Sequence, residues 1–247
     1  MNLVPLLLAA SALLPPPYAP GERMRFSIDL MGMRMGTATI EVQEEGEHGI
    51  PIRLEAHTTG VANAVYSFRQ ELVSHLEPET GLPTLFVIDQ RERNWKHLDT
   101  TTYDRVKGEA TLVERGKRVH TKRTAIPPDA VDFVALVFQL RRMPLEPGDR
   151  RTFSVLSGVK LRDVIVEVMK REYVRTKAGT FAALKIRVPT GFTGKFSEKK
   201  PTYLWLSDDP RRIVVKLTTD FSFGSAVGEL RSYKAGDDRP SDTARRD

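Results

Sequence analysis

The sequence predicts a mainly β protein, an antiparallel sandwich or barrel-like sheet with one buried α-helix at about residues 130–143. Three observations predict it. Short runs of alternating apolar and polar residues recur along the chain, divided by Gly-, Pro- and Asp-bearing turns. One stretch, Ala130–Met143, carries apolar residues at helical spacing instead. Finally, Thr202–Lys216 reads as a hairpin deep in the sheet. Its aromatic and β-branched runs, Thr202–Ser207 and Arg211–Leu217, flank a turn at Asp208-Asp209-Pro210.

At the N-terminus, Met1–Ala12 is a short apolar run ending in Ala10-Ser11-Ala12, the pattern of a signal-peptide core with a small-x-small cleavage site. A second cut is readable after Ala19, beyond Pro15-Pro16-Pro17. No basic residue precedes the run and Pro5 interrupts it. It is shorter than the roughly 20 apolar residues of a transmembrane helix. The expectation is a signal peptide and Pro-rich leader over 1–20, cleaved on export to the periplasm, with an uncleaved membrane tether as the alternative. A single β-rich domain is expected over 21–234, and a disordered tail, nearly free of apolar residues, over 235–247.

Within the domain, Met24–Leu30 sets Met24, Phe26, Ile28 and Leu30 on one face against Arg25, Ser27 and Asp29. A turn at Met31-Gly32-Met33 leads to a strand at Met35–Gln43, and the charged loop Glu44–Gly49 leads to Ile50–Thr58. A small-residue segment, Gly60–Ala64, suits a helical turn before Tyr66–Leu76. Strands at Thr84–Arg91, His97–Tyr103, Glu109–Glu114 and Val119–Arg123 follow at regular spacing.

Pro127-Pro128 precedes the helix, with Asp129 as its expected N-cap and Asp132 at the third helical position. Val131, Val134, Ala135 and Phe138 share a face that Phe133, Val137 and Leu140 widen, so the helix is expected to be buried. Arg141-Arg142 suits its C-terminal end, and Pro144 stops it. Beyond it, strands are expected at Thr152–Leu156, Val159–Lys170, Glu172–Arg175, Phe181–Val188 and Gly228–Tyr233, with an exposed loop at Thr190–Lys200.

Composition excludes several functions. The net charge of +6 suits anionic surroundings, yet the 38 basic residues are scattered among 32 acidic ones without a basic block, so no nucleic-acid partner is expected. The absence of cysteine removes disulfides, thiolate metal sites, thiol nucleophiles and an acylated lipoprotein cysteine. The histidines at 48, 57, 75, 97 and 120 lie on separate strands or loops without metal-ligand spacing, and are expected to face solvent.

Nucleophile motifs fail on context. Ser157/Lys160 and Ser197/Lys200 share the Ser-x-x-Lys spacing, but neither lies on the helix that would align them. Gly191-Phe192-Thr193-Gly194 lacks the ending of a phosphate loop. Asp208-Asp209 reads as a turn whose side chains bond local amides, beside Arg211-Arg212. Neither an enzyme nor a cofactor is expected.

The remaining candidate is apolar. Tyr203 and Trp205 share one strand face, and Leu204 and Leu206 the other. An apolar pocket between helix and sheet, lined by Phe133, Val137, Phe138, Tyr203 and Trp205, is the candidate ligand site. The competing expectation is that these residues fill a solid core.

The order of these pieces is similar to that of the bacterial envelope family known as domain of unknown function 3108. The resemblance spans about Gly21 to Tyr233. It is carried by the strand pair Met24–Val42 with Gly36-Thr37-Ala38, the helix Asp129–Leu140, Arg141–Asp149, Glu172–Phe181 and Leu204–Asp209. The resemblance implies an exported, mostly β protein in which a curved antiparallel sheet forms a half-barrel around one helix, as in periplasmic lipoprotein carriers. It brings no catalytic residues. The function expected is non-enzymatic binding of a lipid, a lipoprotein acyl chain or another amphipathic envelope molecule, with peripheral envelope association. A structural or assembly factor without a pocket is the alternative.

Overall fold

A computed structural model describes residues 16–93, 95–116, 118–189, 202–221 and 224–237. The expected signal-peptide core, the whole of the expected loop at 190–200 and the tail beyond 237 lie outside the described residues.

The strands pair in one 14-stranded antiparallel sheet. One wing holds β1 (Arg23–Leu30), β2 (Met33–Val42), β3 (Ile50–Thr58), β4 (Phe68–Leu76), β5 (Pro83–Glu92), β6 (Trp95–Asp104), β7 (Glu109–Arg115) and β8 (Val119–Ala125). The other holds β9 (Arg150–Ser157), β10 (Lys160–Thr176), β11 (Gly179–Val188), β12 (Thr202–Ser207), β13 (Val214–Phe221) and β14 (Gly224–Lys234). Neighbours in sequence are neighbours in the sheet throughout each wing, and β1 joins the wings by pairing with β14. The edges are therefore β8 and β9.

The sheet curls until those edges approach each other without closing into a continuous ladder. Thr124 Oγ1 of β8 donates to the Val159 carbonyl beside β10 at 3.4 Å. Val131, in the crossing segment, bridges to β9: its N–H donates to Ser154 O at 2.9 Å and its carbonyl accepts from Leu156 N at 2.8 Å. Bulges such as those at Arg25/Phe26 and Trp205/Leu206 add local bend and twist to the strands. Gly36 lets β2 close on β3, since a Cβ there would lie 2.2 Å from the His57 carbonyl oxygen.

The crossing between the edges carries α2 (Phe133–Arg142), which fills the concave side at one end. Leu136 and Leu140 are 0% exposed and Phe138 1%, so the helix is a packed plug. Its first residue is Phe133, three later than the spacing of apolar residues predicts. Val131 is drawn into extended pairing with β9, and the N-cap is Asp132 rather than Asp129. Asp132 Oδ1 accepts from Ala135 N at 2.8 Å.

Other strand expectations shift less. Val159–Lys170 and Glu172–Arg175 are one 17-residue strand, β10, because the bulge at Val168/Lys170 absorbs the break in alternation. The second strand of the central hairpin starts at Val214, since Asp209 holds the turn open through residue 212. That turn matches the sequence reading, with Asp209 Oδ1 accepting from Arg211 N at 2.9 Å. Gly60–Val65 is the short helix α1.

Candidate functional site

Directly opposed residues of paired antiparallel strands point to the same face, so register traces the concave surface. Closest to α2, the row Val42, Ile52 and Ser74 is 0% exposed. Two residues further along each strand lies the row Met24, Ile40, Leu54, Leu72 and Ile88. There burial relaxes across the wing: Met24 is at 1%, Ile40 at 9%, and Leu54, Leu72 and Ile88 are half-buried. Beside it runs a third row whose first members, Ala38 and Ala56, are small, and whose next, Gln70 and Gln90, are polar. The result is a trough with a branched apolar floor, beyond the reach of the plug.

The chemistry of the floor changes at β6. Ile88 stands opposite Asp99, Asp99 opposite Glu114, and Glu114 opposite His120. At the outer end of these strands, Trp95, His97, Glu114, Gly116, Arg118 and His120 line an open cup of about 340 Å³. Period-2 geometry places Trp95, His97 and Asp99 on one face of β6. The Trp95 and His97 rings stack at 5.0 Å, 7° from parallel. His97 Nε2 lies 2.6 Å from Asp99 Oδ1, and Lys122 Nζ lies 2.7 Å from Glu114 Oε2. Burial pushes the Asp99 carboxyl above its ordinary range, an effect the neighbouring His97 partly offsets.

The plug carries a second set of polar groups. Ser74 Oγ donates to Asp132 Oδ2 at 2.7 Å, and burial raises the Asp132 carboxyl to about 6. Tyr103 is nearby, its phenol pushed well above its ordinary value by burial and by the Asp132 charge. Arg105 fastens the approach to α2 by donating to Pro128 O at 2.7 Å and Pro83 O at 2.8 Å. At the other end of α2, Arg141 is fully buried. Its Nη2 donates to Glu22 Oε1 at 2.7 Å and to Arg211 O at 3.0 Å, while its guanidinium faces the Tyr18 and Phe138 rings. These groups anchor the plug. All but the Asp132 end lie away from the trough.

The five residues expected to form one pocket all belong to the main core: Val137, Phe138 and Trp205 are buried members of it, and Phe133 and Tyr203 pack half-buried against it. Phe133, Val137 and Phe138 belong to α2 and pack into the core on the concave side. Tyr203 and Trp205 lie on the convex face, because their neighbours Leu204 and Leu206 oppose Ile186 and Leu184 inside the barrel. There Trp205 is clamped between Lys185 and Lys216, each 5.2 Å from its ring, and its Nε1–H donates to Glu172 Oε1 at 2.7 Å.

The residues that line the trough and cup were absent from the sequence-derived candidates. One local signal could have found part of the cup, the alternation Trp95-x-His97-x-Asp99 on a single strand face. Among the described residues, no group of three or more metal-ligating side chains converges, and no helix is long and apolar enough to cross a membrane.

A barrel-like antiparallel sheet, not closed and curled about one buried helix, defines the class of protein. The chain belongs to the DUF3108 family, described as a protein of unknown function, whose model matches residues 25–231. Among solved structures it is similar to a β-barrel-like protein of domain of unknown function DUF1849 from Brucella abortus. That likeness has a TM-score of 0.61 and 11% identity, and covers 92% of this chain and 100% of the other. It is a likeness of fold. A Bacteroides fragilis protein described as exported, with a YmcC-like fold, matches at TM-score 0.42 and 12% identity over 90% of this chain and 100% of its own. A lipoprotein from Parabacteroides distasonis matches at TM-score 0.34 and 11% identity, over 90% of this chain and 99% of its own. No curated protein is similar to the chain at a significant level.

Proposed function

We propose that the protein is an exported, non-enzymatic component of the cell envelope. It holds the alkyl part of an amphipathic molecule, a lipid or an acyl chain, on the concave face of its half-barrel. The observation that carries this is the fall in burial across one row of side chains. Val42, Ile52 and Ser74 are sealed by the plug, whereas Leu54 and Leu72, one row on, stay half-buried on a concave wall. Covering such surface is favourable by about 25 cal/mol per Å². From Leu54 to Ile88 the half-buried part of the row crosses two strand intervals, about 10 Å at the usual strand spacing. That suits an extended alkyl chain.

The seat is the trough beside α2. The space under α2 is filled by Leu136, Phe138 and Leu140. Placement in the periplasm, after cleavage of the leader, rests on the Met1–Ala12 run. The competing reading, an assembly factor without a ligand, draws on the same flush packing of the plug.

The test is native mass spectrometry of protein expressed with its own leader and purified from the envelope fraction without detergent. A bound species of lipid mass is expected. It should be lost from the Leu54→Asn/Leu72→Asn variant, with unfolding in urea still cooperative. A wild-type protein that carries no adduct, and that binds no dansyl-labelled undecanoic acid, would overturn the reading in favour of the assembly factor.

A further inference from the structure

The cup at the outer end of β6–β8 continues the trough floor, and its charges are unevenly matched. The acids at and beside it already have neighbours: Glu114, in the lining, has Lys122 at 2.7 Å, and Asp99, next to the lining, has the His97 ring at 2.6 Å. Arg118 and His120, on the rim, have no ion pair or side-chain hydrogen bond among the described residues, and both are exposed. The cup therefore presents unspent positive charge and donors. Arg118 offers a planar fork that matches the oxygens of a phosphate or carboxylate. Trp95, 47% exposed and stacked flat on His97, offers an aromatic surface of the kind that sits where an apolar region meets a wet one. The cup meets the apolar row at the opposed pair Ile88 and Asp99, so tail and head surfaces adjoin on one wall.

We propose that this cup seats the oxyanion head group of the amphiphile whose tail lies along Leu54, Leu72 and Ile88, with Arg118 and His120 binding the head and Trp95 flanking it. The assignment rests on the amphiphile reading above and adds the chemistry of the head. A cationic head is disfavoured, because at Glu114, the acid in the lining, it would have to displace Lys122 from the carboxylate that it already neutralises. A neutral head would leave Arg118 unmatched. A free anion such as inorganic phosphate would use the rim alone and forgo the apolar row.

The experiment uses the full chain with Trp205→Phe. Of the protein's two tryptophans, this leaves Trp95 as the single indole reporter, read under excitation selective for tryptophan. Dodecyl phosphate, dodecyl maltoside and inorganic phosphate are titrated separately, the amphiphiles below micelle-forming concentrations. Dodecyl phosphate is expected to bind at least about tenfold more tightly than dodecyl maltoside, a difference of about 1.4 kcal/mol. Arg118→Gln/His120→Gln should erase that advantage while leaving the affinity for dodecyl maltoside unchanged. Inorganic phosphate alone should bind far more weakly than dodecyl phosphate.

Equal binding of the two amphiphiles, insensitive to the Arg118 and His120 changes, would overturn the head-group assignment and leave the tail site standing. Binding of neither amphiphile would remove the tail site and the head seat with it. Inorganic phosphate binding as tightly as dodecyl phosphate, with no response to Leu72→Asn, would mark an anion site unconnected to the trough and overturn the proposal.

Discussion

Ser74 on the wall and Asp132 at the head of the plug are joined by a 2.7 Å hydrogen bond in which the hydroxyl donates to the carboxylate. Asp132 also caps α2, so one buried side chain sets where the helix starts and which strand it meets.

That pairing makes stability depend on pH. Burial raises the Asp132 carboxyl from 3.8 to about 6, despite the bonds from Ala135 N and Ser74 that favour its charged form. A raised folded-state value means that the native chain holds the proton more tightly than the unfolded one. The associated stability is complete below about pH 4 and is lost as pH rises through about 6. Asp132→Asn keeps a capping acceptor without the charge. The wild-type stability, taken relative to that variant, should fall by about 2 kcal/mol between pH 4 and pH 7.5. Urea unfolding of both proteins at each pH measures this. A constant difference would place the carboxylate in a better solvated setting.

The Arg141–Glu22 pair should behave as a buried ion pair whose members cannot be removed singly. Both side chains are at 0–1% exposure, and the pair links α2 to the segment before β1. Glu22→Gln should destabilise by about 3 kcal/mol or more, because it strands a buried guanidinium. The double change Glu22→Leu/Arg141→Met should recover much of that loss. The double-mutant cycle, read by urea midpoints, gives the coupling directly.

Tyr18 lies before the sheet but belongs to the core. It is 8% exposed, edge-on to Phe138 at 4.8 Å, with the Arg141 guanidinium 5.2 Å from its ring. Of the two cleavage positions legible in the leader, the one after Ala12 retains Tyr18 and the one after Ala19 removes it. On the export proposed above, the intact mass of the mature protein should therefore correspond to a chain beginning at Leu13. A chain beginning at Pro20 should lose about 3 kcal/mol, the scale of deleting a buried aromatic side chain, as should Tyr18→Ala.

Trp205 separates stability from binding. It is 6% exposed on the convex face and clamped by Lys185 and Lys216. Trp205→Ala should cost about 3 kcal/mol in urea unfolding, with no change in alkyl-probe affinity under conditions where the variant remains folded. A loss of affinity without loss of stability would put the ligand on the opposite face from the trough.

Much of the architecture was legible because the determinants are local. Alternation in Met24–Leu30 and the Asp208-Asp209-Pro210 turn each define an element whatever its neighbours. The start of α2 was misread because Asp129 and Asp132 are both good caps three residues apart. Only the bridge from Val131 to β9, a contact with a strand more than twenty residues away, selects between them. The cup was missed because His97 and His120 are distant in sequence and meet through two successive strand registers.

By itself the sequence determined the strands, the single buried helix and the absence of thiol chemistry, since period, turn residues and composition act at short range. The tertiary structure decided which apolar residues are sealed and which are left open. Leu72 and Ile52 read alike as inward-facing strand residues. Only the reach of a ten-residue helix across the sheet makes one of them core and the other the floor of a trough.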